Sequence, residues 1–351
     1  MGWRVSLGGQ VIRTYNLCLL GFGNVNRALV RLLEAKNAAL GRQGIGWRVT
    51  GIASRRLGWI VDEGGLEVES LGRGETGTRA SAPHVTHVGE WLQAAGADIL
   101  FEATSLAPRS GQPAIDHIRA ALEHGAHAIT ANKGPVVHAW EELQALARAR
   151  GRRFLCESTV MDGAPIFSLF RESLPVIELR GFHGVLNSTT NVILGGMEEG
   201  LSFEESLGRA QAIGVAESDA SHDIEGWDAA VKVAALVQVL MGLRLPLDQI
   251  QREGIAAFDG ERVRAARREG KPYKLVCRAR RTENGVRASV RPEQVPASDA
   301  LAGIMGTSSM VCFETDMLPG LAITEIDPGV DATAYGMLAD FVRAVEGATD
   351  R

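Results

Sequence analysis

Near its amino terminus the chain reads Tyr15-Asn16-Leu17-Cys18-Leu19-Leu20-Gly21-Phe22-Gly23-Asn24-Val25-Asn26. The apolar run Tyr15–Leu20 predicts a buried strand, and the glycines predict a turn into a helix. Val25 begins a pattern of apolar residues three or four positions apart, which is typical of one helix face. A Gly-x-Gly turn lets a pyrophosphate approach the backbone at the positive end of a helix. We therefore expect a dinucleotide site formed by Gly21, Gly23, Asn24 and Val25; the alternative is an ordinary tight turn.

The first half of the chain continues to alternate strand-like and helical segments. We expect further strands at Trp47–Ala53, Asp98–Ala103, His127–Ala131 and Arg153–Cys156, with helices at Pro113–His124 and Ala139–Ala149. This alternation indicates right-handed crossovers between parallel strands. The predicted fold class is α/β, with a Rossmann-type doubly wound parallel sheet.

After about residue 160 the pattern becomes that of an α+β domain. We expect strands at Val176–Leu186, Tyr273–Arg280 and Gly285–Arg291, and helices at Asn191–Glu199, Phe203–Ala212, Trp227–Met241 and Gly260–Arg268. Asn284-Gly285 predicts a hairpin turn whose two central residues have positive φ. A last helix is expected at Ala332–Val345.

The composition excludes several classes of protein. Its 351 residues allow two or three domains, and 45% hydrophobic with 23% charged residues is typical of a globular chain. A net charge of −5 argues against nucleic-acid binding, and no apolar run is long enough to span a membrane. The four cysteines are scattered, and no signal peptide is visible at the start, so we expect a cytoplasmic protein.

Two segments at the ends of predicted strands suggest how a nicotinamide cofactor would bind. Ala53-Ser54-Arg55-Arg56 lacks the carboxylate that would bind ribose hydroxyls, so Ser54, Arg55 and Arg56 favour NADP over NAD. The alternative is a solvated basic loop. Asn132 and Lys133 follow the fourth strand, where nicotinamide and substrate would meet, although Lys133 also fits a surface salt bridge.

The densest cluster of charged residues is Ala216-Glu217-Ser218-Asp219, followed by Asp223-Ile224-Glu225-Gly226-Trp227-Asp228 and Lys232. Asp228 and Lys232 are four residues apart on one helix, so their side chains can touch. A plain surface ion pair is the alternative, but the apolar run Val233–Met241 indicates a buried helix. A lysine facing a cleft there could move an alcohol proton, and the nearby carboxylates suit a substrate ammonium.

These residues resemble the homoserine dehydrogenase family over nearly the whole chain. The resemblance is carried by GFGNVN, ITANKGP, CESTVMDGAP, GVLNSTTN, the Ala210–Lys232 stretch and PGVDATAYGMLADF. It implies an oxidoreductase that interconverts L-homoserine and L-aspartate 4-semialdehyde with NAD(P), in threonine and methionine biosynthesis. It also implies a homodimer formed through the α+β domain and a small amino-acid substrate.

The resemblance implies a role for each matching position. Lys133 and Lys232 would lie at the reacting oxygen with Asp228 orienting Lys232, and which lysine is acid or base stays open. Further implied contacts are Glu217 and Asp223 to the substrate, Thr104 and Ser105 to the nicotinamide, and Glu157, Val160, Asp162 and Ala164 to a monovalent cation such as Na⁺.

Some positions depart from the family pattern, chiefly Asn26, Asp162, Ser188 and Ala220. They motivate an alternative function, a paralogous dehydrogenase of another small hydroxy- or oxo-amino acid; a non-enzymatic nucleotide sensor is a further alternative. We expect an NAD(P)-binding domain at residues 1–135 plus about 318–351, and a catalytic and dimerisation domain at 136–317. Because the chain ends just after its last helix, we expect the short form, without a C-terminal ACT regulatory domain or threonine feedback.

Overall fold

A computed structural model describes residues 5–7, 10–67, 70–71, 73 and 85–346. Its contacts divide the chain into two units, Met1–Gly163 with Gly329–Arg351, and Ala164–Pro328. The first division falls later than the expected residue 135, because the strand Phe154–Leu155 still pairs in the first sheet and the helix before it belongs to the same unit. The second falls near residue 328, after a strand pair that belongs to the second sheet.

The first unit is built on a seven-stranded sheet. Its strands are β1 Val5–Leu7, β2 Gln10–Leu20, β3 Ile45–Ser54, β4 Gly58–Val61, β5 Ile99–Glu102, β6 His127–Thr130 and β7 Phe154–Leu155. The order is β4-β3-β2-β5-β6-β7, and β1 pairs with the start of β2. Strands β3, β2, β5, β6 and β7 are parallel, whereas β4 is antiparallel to β3. The predicted Rossmann-type sheet is confirmed.

The helices of this unit are α1 Asn24–Arg42, α2 Val88–Ala94, α3 Ala114–His124 and α4 Lys133–Ala149, with a 3-10 turn at Glu157–Thr159. Helix α4 begins six residues before the predicted Ala139, because Asn132 caps it and Pro135 is tolerated in a first turn. Its backbone is kinked at Ala139, where φ is −140°. The first turn, with Gly134-Pro135, therefore lies before the kink, and the apolar helical pattern of the sequence lies after it.

The last helix of the chain, Val330–Val345, also lies in the first unit. Its buried face packs into the apolar core with β2 and β5. Phe341 meets Tyr15 edge-on at 5.9 Å between ring centroids and Phe101 at 6.0 Å. The apolar face of this helix therefore completes a core whose strands, β2 and β5, come from the first third of the chain.

The second unit contains a six-stranded sheet with order β13-β12-β8-β10-β11-β9. The strands are β8 Leu179–Val185, β9 Gln251–Arg252, β10 Tyr273–Thr282, β11 Gly285–Gln294, β12 Ser309–Thr315 and β13 Leu321–Glu325. The predicted hairpin joins β10 to β11, but Thr282 pairs with Gly285, so Glu283 and Asn284 are the central residues. Of these three turn residues only Gly285 has positive φ, which corrects the predicted turn by one position.

Five helices accompany this sheet: α5 Ser188–Glu198, α6 Phe203–Ala212, α7 Ser221–Ile224, α8 Trp227–Leu236 and α9 Gly260–Arg268. Helical turns also occur at Ile166–Ser168, Leu169–Ser173, Leu247–Gln249 and Ala300–Gly303. Helix α8 continues as a π-helix over Val237–Met241, so the predicted single helix is present with a change of winding. Together these elements confirm the predicted α+β class. None of the helices in the described part of the chain is long and apolar enough to cross a bilayer.

Candidate functional site

The turn after β2 requires glycine at its first position. Gly21 has a φ of +80°, and its N–H donates to the Ala53 carbonyl at 2.9 Å. A Cβ on Gly21 would lie 2.4 Å from the carbonyl oxygen of Ala103. At Gly23, by contrast, the nearest atom to a built Cβ is the Gly21 oxygen at 3.9 Å. The fold thus needs Gly21, whereas Gly23 leaves open space before the first turn of α1, formed by Asn24 and Val25.

Asn26 occupies the position of the third glycine in the family pattern. It is fully buried, and its Nδ2 donates to the carbonyl oxygens of Leu20 and Gly21 at 3.1 Å each. The side chain therefore ties the start of α1 to the end of β2. The Oδ1 atom of the same side chain is buried without a hydrogen-bond partner among the described residues.

The basic segment after β3 is a turn that leads into the antiparallel strand β4. The Ser54 hydroxyl accepts a hydrogen bond from the Leu57 N–H at 3.2 Å. Arg55 and Arg56 are both exposed to solvent. Their guanidinium groups are therefore accessible to the phosphate of a ligand.

A buried carboxylate lies at the carboxyl end of β5. Glu102 accepts from the Thr104 N–H at 2.9 Å, from the Thr104 hydroxyl, and from the Thr130 hydroxyl at 2.6 Å. Burial raises the pKa of the Glu102 carboxyl, and these hydrogen bonds oppose the rise. Glu102 was not predicted from the sequence; the available signal was one carboxylate inside the apolar run Ile99–Ala103.

Asn132 and Lys133 sit next to this carboxylate at the end of β6. The Asn132 Oδ1 accepts from the Gly134 N–H at 2.9 Å, and its Nδ2 donates to the carbonyl oxygens of Thr104 at 3.1 Å and Ser105 at 3.4 Å. Asn132 is buried, whereas Lys133 is half-buried as the first residue of α4. The structure thus brings together the predicted residues Thr104, Ser105 and Asn132.

In the second unit, the predicted pair on α8 is formed. Lys232 Nζ lies 3.1 Å from Asp228 Oδ2, and the two side chains are only 17% and 19% exposed. Lys232 also donates to the carbonyl oxygen of Leu186 at 2.6 Å. The alternative, a solvated ion pair on the surface, does not describe this pair, because both side chains are largely shielded and Lys232 has the Leu186 oxygen as a further partner.

Asn187 holds the carboxylates of this cluster together. Its Nδ2 donates to Asp223 at 2.6 Å and to Asp228 at 3.1 Å, while its Oδ1 caps α5 through the Thr190 N–H. Thr189 adds a bond to the second oxygen of Asp223 at 3.1 Å. Burial, then the charge of Asp228, raises the pKa of Asp223. Asn187 was missed from sequence, although it lies inside the GVLNSTTN motif.

Glu217 and Ser188 occupy different surroundings. The Glu217 side chain is exposed, and its main-chain oxygen accepts from Gln211 Nε2 at 3.2 Å. Ser188, which replaces a glycine of the family pattern, donates to the Thr307 carbonyl oxygen at 2.9 Å. In the part of the chain that the structure describes, the carboxylate of Glu217 forms no hydrogen bond or ion pair with the residues of the Asp223–Asp228 cluster.

A second lysine of this unit is buried without having been predicted. Lys274 on β10 is 1% exposed, and its Nζ donates to Asn191 Oδ1 at 2.9 Å and to the Ile304 carbonyl oxygen. Burial lowers its pKa to about 8, opposed by Glu198 and assisted by Arg267. Because Asn191 also donates to the Gly306 oxygen at 2.9 Å, Lys274 helps to anchor the loop beside Ser188.

This pKa predicts an unusual stability profile. Below pH 8 Lys274 is charged in both the folded and unfolded chain, so the cost of burying the charge is constant. Between pH 8 and 10.5 the unfolded chain binds the proton that the folded chain has released, so stability rises with pH. Each pKa unit corresponds to about 1.4 kcal/mol. Relative to Lys274→Met, the wild-type free energy of unfolding in urea should therefore rise by up to about 3 kcal/mol across this range. Parallel pH curves for the two proteins would contradict it.

Three of the four residues expected to bind a cation, Glu157, Val160 and Asp162, lie near residue 163, where the first segment of the first unit ends. Glu157 is buried, its N–H donates to Asp340 at 2.7 Å, and Arg343 lies 3.4 Å from its carboxylate and 3.3 Å from that of Asp340. Two buried carboxylates thus lie beside the same guanidinium group.

The remaining predicted ligands differ in their surroundings. Val160 is buried, and Asp162 has a φ of 48° and accepts from the Thr333 hydroxyl at 2.6 Å. Ala164 begins the second unit, and its carbonyl oxygen accepts from the Ile166 N–H at 2.8 Å. The side-chain oxygen of Asp162 is therefore engaged within the protein.

The chain is similar to known proteins along both units. Residues 21–157 match the family described as "Homoserine dehydrogenase, NAD binding domain", and residues 165–342 match "Homoserine dehydrogenase". An NAD(+)-dependent homoserine dehydrogenase of Pseudomonas canavaninivorans is 35% identical over 342 residues, covering 95% of this chain and 97% of the relative. A homoserine dehydrogenase of Methanocaldococcus jannaschii is 30% identical over 339 residues, covering 93% and 97%.

Solved structures show the same likeness. A homoserine dehydrogenase from Thiobacillus denitrificans superposes with a TM-score of 0.82 at 29% identity, covering 97% of this chain and 75% of that one. A mutant of a hyperthermophilic archaeal homoserine dehydrogenase, in complex with NADPH, gives a TM-score of 0.79 at 25% identity, covering 95% and 98%.

Proposed function

The chain belongs to the homoserine dehydrogenase family, and from that premise we propose which of its residues carry out the reaction. The reaction converts L-aspartate 4-semialdehyde and a proton to L-homoserine, or the reverse, with NAD(P)H or NAD(P)⁺ as the second substrate. When bound, the nicotinamide supplies or accepts the hydride. The remaining tasks are to hold the cofactor, to bind the amino-acid end of the substrate, and to move one proton at its oxygen.

The turn at Gly21 and Gly23 fits a dinucleotide. Its main chain is fixed by hydrogen bonds to β3, and the space beside Gly23 faces the start of the 19-residue helix α1. An N-terminus of such length presents N–H groups and a positive dipole end to a pyrophosphate. On the nicotinamide side, Thr104, Ser105 and Asn132 line the carboxyl ends of β5 and β6.

We assign the proton transfer to Lys232 and Lys133. The shielded position of Lys232, with Asp228 and the Leu186 oxygen as partners, directs its ammonium group and supports a role at the substrate oxygen. In the reductive direction a lysine stabilises the developing alkoxide and gives it a proton; in the oxidative direction the neutral amine removes the hydroxyl proton. We assign the acid and base roles to the two lysines together, without dividing them between Lys133 and Lys232.

We assign recognition of the substrate ammonium to Asp223, supported by Glu217. The cluster of Asp223 and Asp228 around Asn187 places two carboxylates close together, and burial first, then this crowding, raises the pKa of Asp223. A bound ammonium would relieve it, because an opposite charge favours the ionised carboxylate. This arrangement is the observation that carries the choice of an amino-acid substrate.

The decisive experiment is a spectrophotometric assay of the purified protein with aspartate semialdehyde and either NADPH or NADH. Rapid oxidation of the cofactor is expected. Turnover only with other carbonyl compounds would instead support the paralogous dehydrogenase, which the matches over both units do not favour. Cofactor binding without turnover would indicate a nucleotide sensor.

We propose NADP as the preferred cofactor because Arg55 and Arg56 are exposed where the 2′-phosphate would bind. The double variant Arg55→Ala/Arg56→Ala should raise KM for NADPH by about 10-fold or more, since each guanidinium forms charge-assisted bonds with phosphate. KM for NADH should change by less than about 3-fold. Replacement of Arg31, an exposed arginine of α1, by alanine is the matched control. A wild-type preference for NADH would contradict the proposal.

A monovalent cation such as Na⁺ is a further proposed ligand. The residues offer oxygen donors for a cation, because the buried carboxylates of Glu157 and Asp340 lie close together beside Arg343. Carbonyl oxygens near Val160, Asp162 and Ala164 would complete the coordination. Replacing Na⁺ by choline at constant ionic strength tests this, with Tm and activity as the two readouts.

We further propose a cytoplasmic homodimer. All four cysteines are free, as a reducing compartment requires. For dimerisation, β13 is the last strand of its sheet among the described residues, and Met317 and Ile326 beside it are 74% and 77% exposed. An open strand flanked by exposed apolar side chains is suited to a second copy. Light scattering on the eluting protein measures its mass.

A further inference from the structure

We propose that Glu102 is a positioning residue for Lys133, acting through a closed ring of hydrogen bonds. The inference rests on the proposed function, in which Lys133 touches the reacting oxygen. The ring consists of Glu102, Thr104, Thr130 and Asn132, all of which lie in the first unit. No role for Glu102 followed from the sequence.

Each step of the ring is a short polar contact. The Thr130 hydroxyl donates to Glu102 Oε2 at 2.6 Å and accepts from the Asn132 N–H at 2.9 Å. Asn132 Nδ2 donates to the Thr104 oxygen at 3.1 Å, and the Thr104 N–H returns to Glu102 Oε1 at 2.9 Å. The ring thus links the ends of β5 and β6 through one carboxylate. It fixes the backbone of Asn132, the residue bonded directly to Lys133.

The ring needs a side chain with a hydrogen-bond acceptor at each of its two terminal atoms, because Thr130 donates to one of them and the Thr104 N–H donates to the other. The Thr130 hydroxyl has a single proton, and donation to Glu102 leaves its oxygen free to accept from Asn132. An amide NH₂ facing Thr130 would reverse that bond and turn the hydroxyl proton toward the Asn132 carbonyl, which lies 3.4 Å away. Burying a carboxylate also disfavours folding, so the ring is maintained at a cost in stability. A purely structural role would be met better by a neutral side chain.

The test is a double-mutant cycle on the full chain. Glu102→Gln should lower kcat by about 10-fold, as displaced catalytic groups do, while Kd for NADPH changes less than about 3-fold and Tm does not fall. In a Lys133→Ala background the same substitution should leave kcat unchanged, because residues that act through each other are not additive. Thr130→Ser keeps the hydroxyl and should retain activity, whereas Thr130→Val should behave like Glu102→Gln. Thr50→Val, at another buried threonine of the same sheet, is the matched control.

The outcomes separate the two proposals. If Lys133→Ala retains full activity, the proposed role of Lys133 fails. If Lys133→Ala is impaired but Glu102→Gln lowers kcat by the same factor with and without Lys133, the positioning role of Glu102 is wrong. The positioning role would also be wrong if Glu102→Gln lowered both Tm and kcat and if Thr130→Ser, which keeps the hydroxyl, lost as much activity as Thr130→Val.

Discussion

Replacing Lys232 by alanine is expected to lower kcat by ~10²-fold or more in both directions of the reaction. The physical reason is that the substrate oxygen gains negative charge in one direction and loses a proton in the other, and Lys232 is the shielded cation held by Asp228 and the Leu186 oxygen. Water cannot replace it efficiently in a site with so little exposure. Steady-state kinetics with both substrates, together with Kd for NADPH by fluorescence, provide the measurement.

Lys133→Ala should show a loss of similar size, since the two lysines share the task. The matched controls are Lys271→Ala and Lys36→Ala, which remove exposed lysines from the second and first units. Both controls should retain wild-type kcat, and all four variants should keep Kd for NADPH within about 3-fold. Near-normal turnover in either test variant would remove that lysine from the mechanism.

Alanine at the two glycines of the turn should have effects of different kinds. Gly21→Ala combines a φ of +80° with a Cβ 2.4 Å from the Ala103 oxygen, so the backbone must move and Tm should fall by several degrees. Gly23→Ala meets only the Gly21 oxygen at 3.9 Å, so Tm should hardly change. Its methyl group would nevertheless occupy the approach of the pyrophosphate. Kd for NADPH should therefore rise by ~10-fold or more, equivalent to at least ~1.4 kcal/mol.

Gly41→Ala is the control for this pair, because Gly41 lies in α1, the helix that follows the turn, and has open space around it. Alanine there should leave cofactor binding unchanged and stabilise the helix by up to ~1 kcal/mol. Thermal unfolding and NADPH titration of the three variants measure both effects. If Gly23→Ala binds NADPH as the wild type does, the pyrophosphate does not approach at this turn.

The local periodicity of the sequence was enough to predict much of the fold. Helices α6 and α9 begin and end at the predicted residues, because their apolar spacing is bounded by Ser202 and Asp259, each of which caps its helix. Strand β12 was not predicted, since the segment Ser309–Thr315 is buried at most positions and shows no clear alternation. A strand of this kind forms only when its neighbours in the sheet, β8 and β13, are in place.

The candidate site shows the same limit. Asp228 and Lys232 could be paired from sequence because a helix sets their spacing. Asn187 and Glu102 gain their importance from partners 36 and 28 residues away, Asp223 and Thr130. No local pattern specifies such a contact, and the resemblance to the family drew attention to charged residues rather than to the amide that connects them.

The last helix has a consequence for how the protein folds during synthesis. Residues Val330–Val345 fill the core beside Tyr15 and Phe101, yet the ribosome makes them some 300 residues after the first strand. Until they emerge, the nascent first unit must expose the apolar surface that Phe341 later covers. Residues Ala164–Pro328, by contrast, form one contiguous segment that is complete before the last helix leaves the exit tunnel. We therefore expect the second unit to be able to fold before the first, whose core is closed only when the last helix is available.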